Sequence, residues 1–148
     1  QKPIKSLFEK AKLKGVSIIV RLPLASGLLT GKMNQDHVFA DNDHRKFNCD
    51  GQLFNVGETF AGLPYAKGVE LASGIKDILP SETSMAQSAL RWILDHDAVT
   101  VVIPGASKVE QAQSNAASSN LSPLSGSIHQ ELHNFYQSKV EKHIRGPY

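Results

Sequence analysis

The sequence predicts an α/β domain built on parallel strands, and three observations carry that prediction. Two short β-branched runs, residues 16–20 and Val99–Ile103, lack the clean alternation of a strand with one wet face, the pattern of strands covered on both sides. Each passes through a Pro and a Gly into a turn rich in small residues. Helical periodicity fills the interval between the runs and both flanks, which is how crossover connections between parallel strands are built.

Bulk composition narrows the function classes. A chain of 148 residues, 41% hydrophobic and 20% charged, is long enough for one packed domain and too ordinary for a disordered or fibrous protein. The 16 Lys and Arg are scattered among 14 Asp and Glu, with a net charge of +2, so no basic face points to nucleic acid. The longest apolar stretch falls short of the ~18 residues of a membrane span. Residues 1–14 lack the continuous apolar core of a signal peptide, and Cys49 alone can form no internal disulfide. A cytoplasmic location is expected, with no membrane partner.

Taken in order, Ile4, Leu7, Phe8 and Ala11 recur at helical spacing, predicting a helix over residues 3–13 that Gly15 stops. The first strand follows, ended by Pro23, and residues 24–32 form a loop holding Ser26, Gly27, Thr30 and Gly31. Residues 34–62 show no sustained period and read as one long excursion, a length usually functional or mobile. A helix is predicted over residues 65–79 with Val69, Ala72 and Ile75 inward, ended by Pro80. The next helix is the clearest: Ala86, Ala89, Leu90, Ile93 and Leu94 make one apolar stripe, capped by Thr83 or Ser84. The second strand breaks at Pro104 and Gly105 and leads through Ala106, Ser107 and Lys108 into another helix. Ile128, Leu132, Phe135 and Val140 mark the last helix, with Ser127 as cap and Gln130 three residues on. No internal repeat or low-complexity tract is present.

The turn at Gly105, Ser107 and Lys108 joins a strand's C-terminal end to a helix N-terminus, where free N–H groups and the helix dipole attract phosphate. Ser107 adds a hydroxyl donor and Lys108 a full charge. The same residues also suit a plain strand-to-helix connection with a solvated lysine. The stretch Gly27 to Lys32 fails as a P-loop: it has three residues between its glycines where four are needed, and Met33 stands where Ser or Thr must follow the lysine. Asp36, His37, Asp41, Asp43 and His44, near Arg45, lack the ordered spacing of a calcium or zinc site and read as a solvated loop. His96, His129, His133 and His143 read as surface or rim residues, and Trp92 as packing. Tyr65, Tyr136 and Tyr148 are the only phenols, and none is matched to a lysine that would acidify it. These residues assemble no catalytic constellation and no metal site.

The stretch from Val20 through Arg21, Pro23, Ser26, Gly27 and Gly31 to Lys32, together with Ile103, Pro104, Gly105, Ala106, Ser107, Lys108, Val109, Glu110 and Gln111, resembles the last two strand–loop units of the aldo-keto reductase family. Ser84 to Leu94 looks like the family's penultimate barrel helix, and Asp43-His44-Arg45 with Phe54 to Phe60 looks most like bacterial members. The resemblance implies the C-terminal portion of a (β/α)8 TIM barrel: two parallel barrel strands, flanking helices and a long loop, with residues 1–148 as a C-terminal fragment of one barrel domain. It implies an NADP(H) cofactor that passes hydride to an aldehyde or ketone. By the same resemblance Pro23, Leu24, Ala25, Ser26, Gly27 and Lys32 lie along the pyrophosphate. Gly105, Ser107 and Lys108 hold the 2′-phosphate, Gln111 and Asn115 stand near the adenine, and Arg45 matches an arginine that reaches the cofactor. Ser114 departs from the family, many members having glutamate there.

A full barrel has eight strands in about 250 residues, and the family's catalytic Asp, Tyr, Lys and His come from earlier strands. No segment here matches them, so the chain alone is expected to lack the tetrad and to be inactive. Two strands leave open edges, so contact with a missing N-terminal segment or another copy of the chain is expected, with a small carbonyl compound as substrate of the intact protein. The rival readings are a non-enzymatic NADP-binding or interaction module and an unrelated α/β nucleotide-binding domain. The two strands are expected to be parallel neighbours, with their following loops on one side.

Overall fold

The structure, a computed structural model, describes residues 1–146, so the phenol of Tyr148 lies outside the described residues. A π turn at Ile4–Phe8 leads into helix α1 (Glu9–Leu13), which Gly15 closes in the left-handed conformation at φ 62°. Val16 belongs to that closure: its N–H donates to Ala11 O at 2.9 Å, the long-range bond of a helix C-cap. Strand β1 therefore runs over Ile18–Arg21, two residues later than the β-branched run suggested.

After the excursion come α3 (Tyr65–Ile78) and α4 (Met85–Leu94), then β2 (Val99–Ile103), α5 (Val109–Ala117) and α6 (Gly126–Phe135); the short helix α2 (His44–Phe47) lies within the excursion. The strands β1 and β2 are parallel neighbours, with Ile19 opposite Val101, Val20 opposite Val102 and Arg21 opposite Ile103. The parallel pairing matches the sequence prediction. Burial on both faces does not hold within this chain, because Ile19 is 62% exposed and Ile103 54%. The helices cover one face only, where Ile18, Val20 and Val102 are half-buried and α4 packs on β2.

The core lies between the helices and the loop after β1, around Leu28, Phe60, Leu63, Leu71, Leu90, Leu132 and Tyr136. Ser84 caps α4 as expected, its Oγ accepting from Gln87 N at 3.2 Å. Leu90 is the most buried of the predicted stripe, while Met85 and Ser88 are buried without having been foreseen. Ser88 tolerates burial because its hydroxyl meets that of Thr83 at 2.6 Å. On α3, Ala72 is buried as expected, and Leu71 and Gly68 replace Val69 and Ile75 as the deepest positions. At α6 the cap is Ser125, not Ser127: Ser125 is extended, so its Oγ reaches Ile128 N at 3.4 Å, whereas Ser127 is already inside the helix.

His96 and His129 are half-buried. His129 and the residue just past α4, His96, pack against Trp92, with ring centroids 6.2 and 4.8 Å from it, and His96 also meets Phe8. Burial, and secondarily the neighbouring His129, hold His96 below the ordinary imidazole pKa. The unfolded chain then binds a proton that the folded chain resists, so stability should fall as pH drops below about 6.5. Urea midpoints measured between pH 7 and pH 5 should decline, and His96→Gln should flatten that decline; an unchanged slope in the variant would assign it to other groups.

Candidate functional site

The parallel pairing brings the C-terminal ends of β1 and β2 together, with Arg21 opposite Ile103, so the loops that follow them leave from one edge. The first loop is strained. Leu22 has φ 53°, and Ala25, Ser26 and Gly27 follow in succession at 48°, 56° and 101°. A non-glycine residue held there costs on the order of 1–3 kcal/mol and persists only where its surroundings impose it. Here they do. Ser26 Oγ donates to Glu58 O at 3.3 Å and accepts from Phe60 N at 3.1 Å. Glu58 in turn takes both terminal nitrogens of Arg21, at 3.3 and 2.6 Å, and Thr30 Oγ1 donates to Gly27 O at 2.7 Å. Pro23 is buried, Leu24 and Ala25 are half-buried, and Lys32 is exposed.

Gly27 is crowded. At its φ of 101° a side chain would be strained; a Cβ there would meet the flexible tip of Met33 at 2.6 Å and Arg45 Nη1 at 3.6 Å, so Arg45 stands beside the loop. Arg45 is held by Asp43, with Nε at 3.0 and 3.1 Å from its two oxygens and Nη2 at 2.6 Å, and its guanidinium lies 4.8 Å from the Phe39 ring centroid. The Arg45 hydrogen bonds pull the Asp43 carboxyl down to about 2. The excursion itself is stiffened from inside by Asn48, fully buried, which donates to Thr59 Oγ1 at 3.0 Å and accepts from Leu53 N and Phe54 N at 2.9 Å each. Asn48→Ala should leave those two N–H groups without their acceptor and lower stability by about 1–3 kcal/mol, measurable by urea titration, with a shift below 0.5 kcal/mol counting against the role.

In the second loop Gly105, Ser107 and Lys108 are all exposed. Lys108 is the residue before α5, extended at φ −140°, rather than part of its first turn. The N–H and hydroxyl of Ser107 both donate to Gln111 Oε1, at 2.7 and 3.1 Å, and Asn115 Nδ2 donates to Gly105 O at 3.2 Å. Gln111 and Asn115, one helical turn apart, thus fold back on the turn. The donor set is two N–H or O–H groups of Ser107, the Lys108 ammonium and the N-terminus of α5, a combination whose complement is a phosphate. Gln111 Oε1 occupies the acceptor position of both Ser107 donors.

Tyr65 donates to Asn34 O at 2.7 Å, and burial pushes its phenol pKa up, the opposite of what a neutral-pH proton donor requires. Tyr136 is buried in the helical core. Among the described residues no group of His, Cys, Asp or Glu is placed to hold a metal, and no helix is long and apolar enough to cross a membrane. Sequence reasoning gave no role to Glu58 or Phe60, whose partner Ser26 lies more than thirty residues away, or to Asn48, whose nearby partners sit in a segment without periodicity.

The model of the aldo/keto reductase family matches residues 2–137. The L-glyceraldehyde 3-phosphate reductase of Escherichia coli K12 is 35% identical over 114 residues, covering 77% of this chain and 32% of that protein. An aldo-keto reductase of Strobilurus tenacellus is 28% identical over 121 residues, covering 78% of this chain and 32% of its own length. Among solved structures, a glycerol dehydrogenase from Gluconobacter oxydans superposes with a TM-score of 0.71 at 21% identity, covering 100% of this chain and 41% of that one. The chain spans about a third of the length of these curated relatives.

Proposed function

The chain belongs to the aldo/keto reductase family, and we propose that it is the C-terminal part of a single (β/α)8 barrel domain, in which it grips NADP(H) for the reduction of an aldehyde or ketone. The observation that carries this reading is the placement of the strained, Arg45-flanked loop and the donor-rich Ser107 turn side by side at the C-terminal edge of β1 and β2. Binding sites of such barrels are built at that edge.

Ser107, Lys108 and the open backbone at Gly105 hold the 2′-phosphate, displacing Gln111, which is then free with Asn115 to meet the adenine. Pro23, Leu24, Ala25, Ser26 and Gly27 lie along the pyrophosphate, with Lys32 and Arg45 supplying positive charge. The cofactor, when bound, supplies the hydride. The proton for the carbonyl oxygen comes from groups outside residues 1–148, since the phenol of Tyr65 is poorly suited to give it. The apolar face at Ile19, Val101 and Ile103 and the open edges of β1 and β2 are taken up by the other barrel strands. A cytoplasmic setting and a small carbonyl substrate complete the reading.

The test is Lys108→Ala in the protein that carries this chain. Loss of a charge-assisted phosphate contact worth about 1.5–3 kcal/mol should weaken NADPH roughly ten- to a hundredfold and leave NADH nearly unaffected. Both cofactors are titrated against wild type and variant at one ionic strength, because screening blurs an exposed contact. Equal losses for the two, or none, would remove Lys108 from a phosphate site.

A further inference from the structure

Beyond the last helix the chain returns to the excursion, and one side chain makes the join. Arg145 Nε donates to Gly62 O at 2.9 Å, Nη1 to Asp50 Oδ1 at 2.6 Å, and Nη2 to Cys49 O at 3.0 Å and Leu63 O at 3.2 Å. Its backbone N–H also donates to Gly62 O, at 3.0 Å. Three of the four side-chain acceptors are backbone carbonyls of a segment with little regular structure, and a guanidinium is the group whose fixed fork can serve them at once. The fit around it is close. Gly62 has φ 78° and a Cβ there would stand 2.6 Å from Arg145 O, while one on Gly146 would stand 2.7 Å from Val56 Cγ1.

What Arg145 holds is not an isolated loop. The same 48–63 segment carries Glu58 and Phe60, and these are the groups that fix Ser26 in its left-handed conformation and pair with Arg21. Arg145 is thus joined through Gly62, whose N–H donates to Thr59 O at 3.0 Å, to the stretch of backbone on which Glu58 and Phe60, the partners of Ser26, flank Thr59. Loops that must stay in one conformation to bind are often held by residues far from the ligand.

We propose that Arg145 is a latch: it pins the 48–63 segment and through it the Ala25–Gly27 loop, so that cofactor binding depends on a positioning residue some 120 positions beyond the loop it controls, 145 against 26. The proposal rests on the cofactor reading given above. Because the loop it controls faces the pyrophosphate, a part common to both dinucleotides, the latch acts on NADPH and NADH alike. This separates it from Lys108, whose loss is felt by NADPH alone.

The experiment compares wild type, Arg145→Ala and Arg145→Lys in the protein that carries this chain. Hydrogen exchange at the amides of Leu53, Phe54, Gly57 and Phe60 should speed up at least about tenfold in the alanine variant, as local opening of the segment becomes easier. NADPH and NADH should both weaken by about tenfold and by the same factor. Lysine keeps a charge opposite Asp50 but cannot reach the carbonyls together, so it should give a smaller loss of the same pattern, and it decides the matter if the alanine variant does not fold. Asp95→Asn, which loosens the helices elsewhere, should change neither the exchange in the segment nor the affinities. Exchange that Arg145→Ala leaves unchanged, or faster exchange with unchanged affinities, overturns the latch alone. Wild-type protein that binds neither dinucleotide overturns the cofactor reading and the latch with it.

Discussion

Asp95→Ala is expected to destabilise the protein by about 3–5 kcal/mol, the range for removing one partner of a buried charged network. The Asp95 side chain is 6% exposed and its two oxygens serve three donors. Arg91 Nε lies 2.8 Å away, Leu124 N 2.9 Å and His129 Nε2 2.9 Å. Arg91 comes from α4, Leu124 from the entry to α6 and His129 from α6 itself, so a single carboxylate ties the two helices and the turn that enters the second. Alanine leaves the Arg91 guanidinium, 13% exposed, without its counter-charge and strips Leu124 N–H of an acceptor.

Asparagine is the milder change, since it keeps one acceptor oxygen for Leu124 or Arg91 while removing the charge and turning an NH2 donor toward the other. A loss about half as large is expected for Asp95→Asn. Urea titration of the three proteins at pH 7, followed by the fluorescence of Trp92, measures both steps, because Trp92 is the one tryptophan and packs against His129. An alanine variant within 1 kcal/mol of wild type would mean that water replaces the carboxylate and that the network is ornamental to stability.

The parts of this molecule that the sequence disclosed are those decided within a few neighbouring residues. Ser84 and the apolar spacing behind it define α4, and five β-branched or aliphatic residues followed by Pro104 and Gly105 define β2 with its observed bounds. Their parallel pairing follows from the helices that must intervene. Where two neighbouring residues compete for one role, the backbone decides, as it does for Ser125 over Ser127 and for Val16, which the α1 cap claims before β1 begins. The excursion was legible as irregular and no further. Asn48 in a polar loop reads as solvated, and only the fold shows it wholly buried with each of its polar atoms engaged. The two candidate loops were found by their local chemistry, but the partners that hold the first in shape are separated from Ser26 by more than thirty residues and leave no periodicity to detect.

Phe60→Ala carries the other large effect, again about 3–5 kcal/mol, and it joins the core to the candidate site. Phe60 is fully buried, with its ring centroid 5.0 Å from Tyr65 and 5.7 Å from Phe39, and Phe39 in turn lies under Arg45. Alanine removes the ring without relieving the left-handed backbone at φ 52°, which costs an alanine as much as a phenylalanine. The cavity left beneath Phe39 and Tyr65 can shrink only if the backbone at 60 moves, and that backbone supplies the N–H that Ser26 Oγ accepts. Stability and the geometry of the Ala25–Gly27 loop should therefore fall together. Phe60→Leu keeps most of the volume and should retain more than half of both. Urea titration gives the first quantity and, on the cofactor reading proposed above, NADPH titration the second, on the same three proteins. A Phe60→Ala protein that loses its stability but binds NADPH as tightly as wild type would show that Ser26 is held by its own turn and not by the packing behind Phe60.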